Sequence, residues 1–307
     1  MKAKDTGTRR RGGTETRIKS SRRRVITSPR LAIPPSLSVH HPSKRLGQNF
    51  LTDPRIISKI IGALGPKPDE TIIEIGPGKG ALTSQLVEKA GRVVVIEFDR
   101  GLTPLLRERF GSRKNFKLIE GDALTTDLCS EILPAQRARI IANLPYNIST
   151  PILQRLIAQR HCLAAMVLML QREVVERITA APGSSDRGYL SVFVEAYCEA
   201  DKVFDVAPGS FHPRPQVWSS VIALALRPGP VVQVRDEQLL WTIVSAGFAQ
   251  KRKTILNNLR IARGKLQELI NQHGGASILL CQAQIDLRRR AETLSLEEWA
   301  RITRALE

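Results

Sequence analysis

At 307 residues, 42% apolar and 25% charged, the chain is long enough for one large domain and a smaller one. No apolar run approaches the ~20 residues of a membrane-spanning helix, so no membrane partner is expected; Cys129, Cys162, Cys198 and Cys281 lie far apart without a C-x-x-C pair, which suggests neither a disulfide framework nor a zinc site and fits a reducing interior. The formal charge of +18 is concentrated, with a net +11 in residues 1–45, +3 in 46–228 and +4 in 229–307, so charge alone does not establish polyanion binding by the folded part.

Residues 1–43 read as a disordered basic leader, with R-R-R at 9–11 and 22–24, prolines at 29, 34, 35 and 42, and no apolar periodicity. The leader lacks the apolar core of a secretory signal. A cytoplasmic location is expected, and the Arg-rich, acid-poor composition leaves organelle targeting open. From residue 53 helices and strands alternate. Asp53 is a good N-cap with Pro54 at the first helical position, and Ile56, Ile57, Ile60, Ile61 and Leu64 form one face. There follow T-I-I-E-I-G (71–76), a helix through Leu82, Leu86 and Val87, R-V-V-V-I-E-F-D (92–99), a helix around 102–110, and N-F-K-L-I-E-G-D (115–122). Then come R-I-I-A-N (139–143), a helix through Ile152, Leu153, Leu156 and Ile157, and A-A-M-V-L-M-L (164–170).

Short β-branched strands alternating with amphipathic helices predict parallel β-α-β units. A helix near 189–198 precedes K-V-F-D-V (202–206) and S-S-V-I-A-L-A-L (219–226), expected as a closing antiparallel pair. R-P-G-P at 227–230 marks a linker, and helices are expected at about 236–250, 254–270 and 295–306. The reading is thus an α/β fold, mostly parallel, with a small helical C-terminal domain over 229–307.

Ligands of open parallel sheets bind outside the carboxyl ends of the strands. The first run ends in E-I-G-P-G-K-G, whose Gly76, Gly78 and Gly80 offer close backbone approach and open N–H groups. The spacing is not the dinucleotide G-x-G-x-x-G, and no Lys-Ser/Thr follows for a P-loop; a plain tight turn competes. Glu97 follows Gly76 by 21 residues, where an acid accepts ribose hydroxyls. Asp122 ends the third run, where it could take a hydrogen bond from an adenine amine, and Asn143 ends the fourth. Each alone has a bland reading as a turn or a solvated acid. Together they describe a nucleoside pocket with a polar, non-phosphate tail.

N-L-P-Y (143–146) then acquires a chemical reading. An adenine N6 amine is a poor nucleophile because its lone pair is delocalised into the ring. Acceptance of its N–H bonds by the Asn143 amide oxygen and the Leu144 carbonyl would let the nitrogen pyramidalise. Pro145 stiffens the backbone, and Tyr146 offers a face for stacking the base. Attack on a sulfonium methyl needs alignment more than acid–base help, so no catalytic His or Cys and no metal is required.

K-R-L-G-Q-N-F-L (44–51), E-I-G-P-G-K-G (74–80), G-D-A-L (121–124), N-L-P-Y (143–146) and F-H-P-R-P-Q-V-W-S (211–219) stand in the order found in rRNA adenine N6-dimethyltransferases. The chain resembles that family from residue 44 to about 306, and most closely its bacterial KsgA type, which acts on small-subunit (16S) rRNA. The resemblance implies a Rossmann-like class I methyltransferase domain over 44–228, a helical rRNA-binding domain over 229–307, and S-adenosylmethionine as methyl donor. It implies two adjacent N6,N6-dimethyladenosines in the 3′-terminal hairpin as product and a pre-30S ribosomal particle as partner; a monomer is expected. By position, Asn49 and Leu51 would border the cofactor with Gly76, Gly78, Glu97, Asp122 and Asn143. Phe211 would stack on the target base opposite Tyr146; read locally, between Gly209 and Pro213, it is a poor strand residue and a loop anchor.

For RNA phosphates, Lys251, Arg252 and Lys253 are the best basic cluster and R-R-R at 288–290 the second, either of which also reads as a solvated helix face. Macrolide-resistance methyltransferases acting on large-subunit rRNA share most of the motifs, but Q-K-R-K-T-I-L-N-N-L and R-A-E-T-L-S-L-E-E-W favour the small-subunit type. A NAD-dependent oxidoreductase would leave N-L-P-Y unexplained, and DNA N6-adenine methyltransferases lack the leading G-Q-N-F-L. A non-catalytic ribosome-assembly or transcription-factor protein with this fold is disfavoured by intact N-L-P-Y and both acids.

Overall fold

A parallel strand covered on both faces must be apolar along its whole length. T-I-I-E-I, R-V-V-V-I-E and A-R-I-I-A-N come close to that demand. The computed structural model describes residues 48–145 and 148–307; the expected leader 1–43, the start of K-R-L-G-Q-N-F-L and Tyr146 lie outside the described residues. In chain order the elements are β1 (Phe50–Leu51), α1 (Pro54–Leu64), β2 (Thr71–Ile75), α2 (Thr83–Lys89), β3 (Arg92–Glu97), α3 (Thr103–Phe110), β4 (Phe116–Glu120) and α4 (Leu128–Glu131). They continue as β5 (Ala138–Asn143), α5 (Ser149–Ala158), β6 (Leu163–Gln171), α6 (Arg172–Ile178), α7 (Tyr189–Tyr197), β7 (Cys198–Val206), β8 (Phe211–His212) and β9 (Ser219–Leu226). The remainder is helical: α8 (Glu237–Gly247), α9 (Ile255–Arg260), α10 (Lys265–Gln272), α11 (Ala276–Gln282) and α12 (Leu296–Arg304).

Among the described residues β2–β7 and β9 form one seven-stranded sheet in the order β4-β3-β2-β5-β6-β9-β7. β4, β3, β2, β5 and β6 run parallel, and β9 is antiparallel to both β6 and β7, the expected closing pair. Strand order reverses at β2, which pairs with β3 on one side and β5 on the other. That is where an open α/β sheet leaves a crevice.

Alternate residues of a strand face opposite sides. Ile73, Val94 and Ile140 accordingly join one buried cluster and Ile72, Val93, Val95 and Ile141 the other. α1 begins as expected: the Asp53 carboxylate accepts from Arg55 N at 2.9 Å, Pro54 opens the helix, and Ile60, Ile61 and Leu64 are buried.

Three expectations change. The edge strand starts at Cys198, four residues early, because α7 runs directly into it. The helix expected over 254–270 breaks into α9 and α10, with Gly264 at φ +61 between them. Phe211, read locally as a loop anchor, lies in β8, whose antiparallel pairing with β1 sets Leu51 against Phe211 and Phe50 against His212. The tertiary partner supplies the ladder that local turn chemistry does not predict. In the helical part, α8 crosses α12 so closely that a Cβ on Gly247 would lie 2.4 Å from the Trp299 ring.

Candidate active site

The loop after β2 turns through glycine because its backbone occupies left-handed conformations, with φ +66 at Gly76 and +59 at Gly78. At Gly78 a side chain is also excluded by space: an added Cβ would sit 2.9 Å from the Phe50 ring. Gly78 N donates to Glu97 Oε2 at 3.2 Å, and Asp99 N donates to Glu97 Oε1 at 2.8 Å. Glu97 is 5% exposed. Burial pushes its carboxyl above the ordinary carboxylate range, opposed by the Asp99 and Gly78 N–H donors.

These groups face a cavity of about 300 Å³ at the strand-order reversal, lined by Gly76, Gly78, Glu97, Asp122, Asn143 and Leu144 among others. Asn49, Leu51 and Pro145 line it too. Asp122 is held in a turn, accepting from Leu124 N at 2.9 Å on Oδ1. Asn143 is oriented from across the chain: its Nδ2 donates to the Asn49 carbonyl at 3.1 Å. With one amide N–H committed there, the side chain is oriented and its oxygen remains available as an acceptor. Leu144 N donates to Met169 O at 3.2 Å, which fixes the peptide after Asn143.

Among the described residues, every site residue expected from the sequence is therefore at this cavity except Phe211 and the basic cluster; Tyr146 lies outside the described residues. Phe211 is buried in the core cluster that holds Leu51 and Ile60, and is not among the cavity-lining residues. Lys251, Arg252 and Lys253 are exposed in the turn after α8. A bridge between Thr254 and Arg290, with Ile255 N donating to Arg289 O at 2.8 Å, brings the second basic run beside the first. Arg289 is tied to Glu298 and Thr293, whereas Arg288 and Arg290 are exposed.

Sequence reasoning missed Glu74, whose only signal was an acid inside an otherwise apolar strand. It lines the cavity, is 1% exposed, and accepts from Thr83 Oγ1 at 2.6 Å. Burial pushes its carboxyl up to about 8, the Thr83 bond opposes that, and the nearby Glu97 charge adds to it. Gln48 was missed as well; its Nε2 donates to Asp99 Oδ2 at 2.6 Å on the cavity wall.

One sequence expectation is overturned outright. Cys129 and Cys162, whose spacing suggests no disulfide framework, are joined in a disulfide with Cα atoms 5.5 Å apart. Separation along the chain says nothing of distance once α4 and the turn before β6 pack side by side. A larger open groove of about 1080 Å³ lies among α5, α7, α8 and α9. Neither the glycine loop nor the strand-end acids and amide line it, so it lacks the chemistry of the smaller cavity.

A family model described as ribosomal RNA adenine dimethylase matches residues 39–304. The ribosomal RNA small subunit methyltransferase A of Moorella thermoacetica is 45% identical over 277 residues, spanning 87% of this chain and 93% of its own length. The protein of the same name from Hahella chejuensis is 41% identical over 263 residues, spanning 86% and 92%. Among solved structures, a dimethyladenosine transferase from Plasmodium falciparum superposes with a TM-score of 0.67 at 26% identity, over 82% of this chain and 95% of that one. The 23S rRNA methyltransferase ErmE superposes with a TM-score of 0.61 at 23% identity, over 84% and 99%, a likeness of fold.

Proposed function

The chain belongs to the ribosomal RNA adenine dimethylase family, and from that premise we propose that it dimethylates the N6 amines of two adjacent adenosines in the 3′-terminal hairpin of small-subunit (16S) rRNA. S-adenosylmethionine supplies the methyl group on a sulfonium. The observation that carries this reading is convergence on one cavity: the Gly76–Gly78 loop, Glu97, Asp122 and Asn143 end four successive parallel strands and line the same crevice.

Each residue has a role in that reading. Glu97, desolvated and held by two backbone N–H groups, accepts the ribose hydroxyls; Asp122 accepts from the adenine amine of the methyl donor. The left-handed glycines let the backbone approach the donor closely, and Asn49 and Leu51 close the wall through β1. The Asn143 oxygen and the Leu144 carbonyl accept the two N–H bonds of the target amine, which turns its lone pair out of the ring plane and toward the methyl. No residue has to take a proton before the nitrogen attacks. Positioning does most of the work. Tyr146 offers the base-stacking face, while Phe211, buried beside Leu51, backs the β1–β8 ladder behind the cavity wall and does not reach the base.

The target base has to leave its stack, at a cost of about a few kcal/mol. Phosphate contacts from Lys251, Arg252 and Lys253, joined by Arg288 and Arg290, offset that cost, and the segment 229–307 is the rRNA-binding part. The partner is a pre-30S particle, the protein acts as a monomer, and its location is the cytoplasm. The test is to incubate the protein with labelled S-adenosylmethionine and undermethylated small subunits, then map the modified bases. Two adjacent dimethyladenosines in the terminal hairpin are expected. Absence of label from that hairpin, with S-adenosylmethionine bound by the protein, would reject the reading.

A further inference from the structure

Cys129, in α4, and Cys162, just before β6, are bridged, and the exposed His161 places Nε2 3.1 Å from Cys129 Sγ. None of the chemistry proposed above uses these residues. We propose that Cys129 and Cys162 form a reversible dithiol–disulfide site, with Cys129 the attacking sulfur, His161 its base and Cys162 the resolving thiol, and that closing it tightens the segment carrying Asp122.

Accessibility and chemistry assign the roles. Cys129 is half-buried and reachable, whereas Cys162 is 5% exposed, so a reagent meets Cys129 first. A thiol reacts as its thiolate, and an imidazole within hydrogen-bonding distance takes up the proton. The Cys129 thiolate attacks a small-molecule disulfide such as oxidised glutathione and releases one thiol. The Cys162 thiolate then displaces the second thiol from Cys129 Sγ. The two cysteines lose two electrons, the reagent's S–S bond gains them, and both protein protons end on the released thiols. In reducing compartments, transient sensing bridges of this kind are the usual ones.

The link to the crevice is short. Asp122 O accepts from Thr126 N at 3.0 Å and from Thr126 Oγ1 at 2.8 Å. Thr126 O accepts from Arg155 at 3.1 Å, and Leu128 N donates to Gln159 Oε1 at 2.7 Å. Cys162 N donates back to Gln159 O at 3.2 Å. The bridge therefore closes a ring around Gln159, and that ring holds the segment running from Asp122 to Cys129.

The test uses the full chain with Cys281→Ser, which removes an exposed thiol outside the site. The protein is equilibrated with graded mixtures of oxidised and reduced glutathione, alkylated, and mapped by peptide mass. An intramolecular bridge without accumulating adduct is expected. Adding Cys162→Ser should trap glutathione on Cys129, whereas Cys129→Ser should leave Cys162 unmodified. His161→Ala should slow Cys129 labelling about 10-fold near neutral pH, without changing the rate at Cys281 when that thiol is retained. Amide exchange over Leu124–Leu128 should be slower in the bridged form than in the dithiol form. A pair that stays reduced in every mixture, an unmodified Cys129 in the Cys162→Ser protein, or tight zinc uptake by the dithiol in place of bridging overturns the site. Equal exchange in the two forms overturns its link to Asp122. None of these readouts involves methyl transfer, so the site and the proposed activity fail separately.

Discussion

Asn143 ends β5 with its amide nitrogen bound to the Asn49 carbonyl 94 residues away. That bond distinguishes an oriented acceptor from a turn-forming asparagine. Replacing Asn143 with Ala should lower kcat by about 10² or more, the usual effect of losing one preorganised polar group, with RNA affinity little changed because phosphate contacts dominate it. Single-turnover assays and binding isotherms check this; an intact kcat with reduced thermal stability would make Asn143 a turn residue. Glu74 carries a different prediction. Its folded pKa of about 8 lies above the ordinary 4.5, so its stabilising contribution is complete below that ordinary value. It is lost as pH rises through the folded one, with a slope of up to about 1.4 kcal/mol per pH unit. Glu74→Gln, which mimics the protonated acid, should flatten this slope in thermal melts followed across the window. A melt profile of unchanged steepness would mean that Glu74 is ionised in the folded protein.

Among the elements, the α8–α12 crossing has the least tolerance. Trp299 is fully buried against Gly247, and Phe248 packs at a ring-centroid distance of 5.6 Å from it. Trp299→Ala should cost about 3–5 kcal/mol, and Gly247→Ala about 1–3 kcal/mol by overpacking. Denaturant titrations read both, and costs under ~0.5 kcal/mol would show that the crossing relaxes. α12 is held at its start by a reciprocal cap: Ser295 Oγ accepts from Glu298 N at 3.3 Å, and Glu298 Oε2 accepts from Ser295 N at 2.8 Å. The same Glu298 binds Arg289, so that arginine of the R-R-R run is structural, while the exposed Arg290 reaches Glu292 only at 3.9 Å.

At the scale of the whole molecule the charge is divided between the first 45 residues and scattered clusters. Changing Lys251, Arg252 and Lys253 together to Ala should weaken RNA binding and make its salt dependence shallower by about two units of log–log slope. S-adenosylmethionine affinity should be unaffected, as calorimetry would register. An unaltered salt slope would mean that the turn after α8 does not meet phosphate. Deleting residues 1–43 should preserve turnover on ribosomal particles, because no motif lies there, while binding weakens and its salt slope falls. Complete loss of turnover in a folded truncation would assign the leader a part in the reaction.

The alternation of strands and helices and the order of groups at the strand ends are both written in the residue pattern. Apolar period and chain direction are local properties, and parallel strands deliver all their carboxyl ends to one edge. Gly76, Glu97, Asp122 and Asn143 were legible for that reason. Glu74 was not, because an acid within a strand announces neither its burial nor its face on the cavity. It is the packing of distant elements that lets Asn49 hold Asn143, pairs Leu51 with Phe211 across β1 and β8, joins two basic runs through Thr254 and Arg290, and brings Cys129 to Cys162. Each of these joins residues at least 33 positions apart along the chain, and such meetings depend on which elements pack together, which no local period or turn signal encodes.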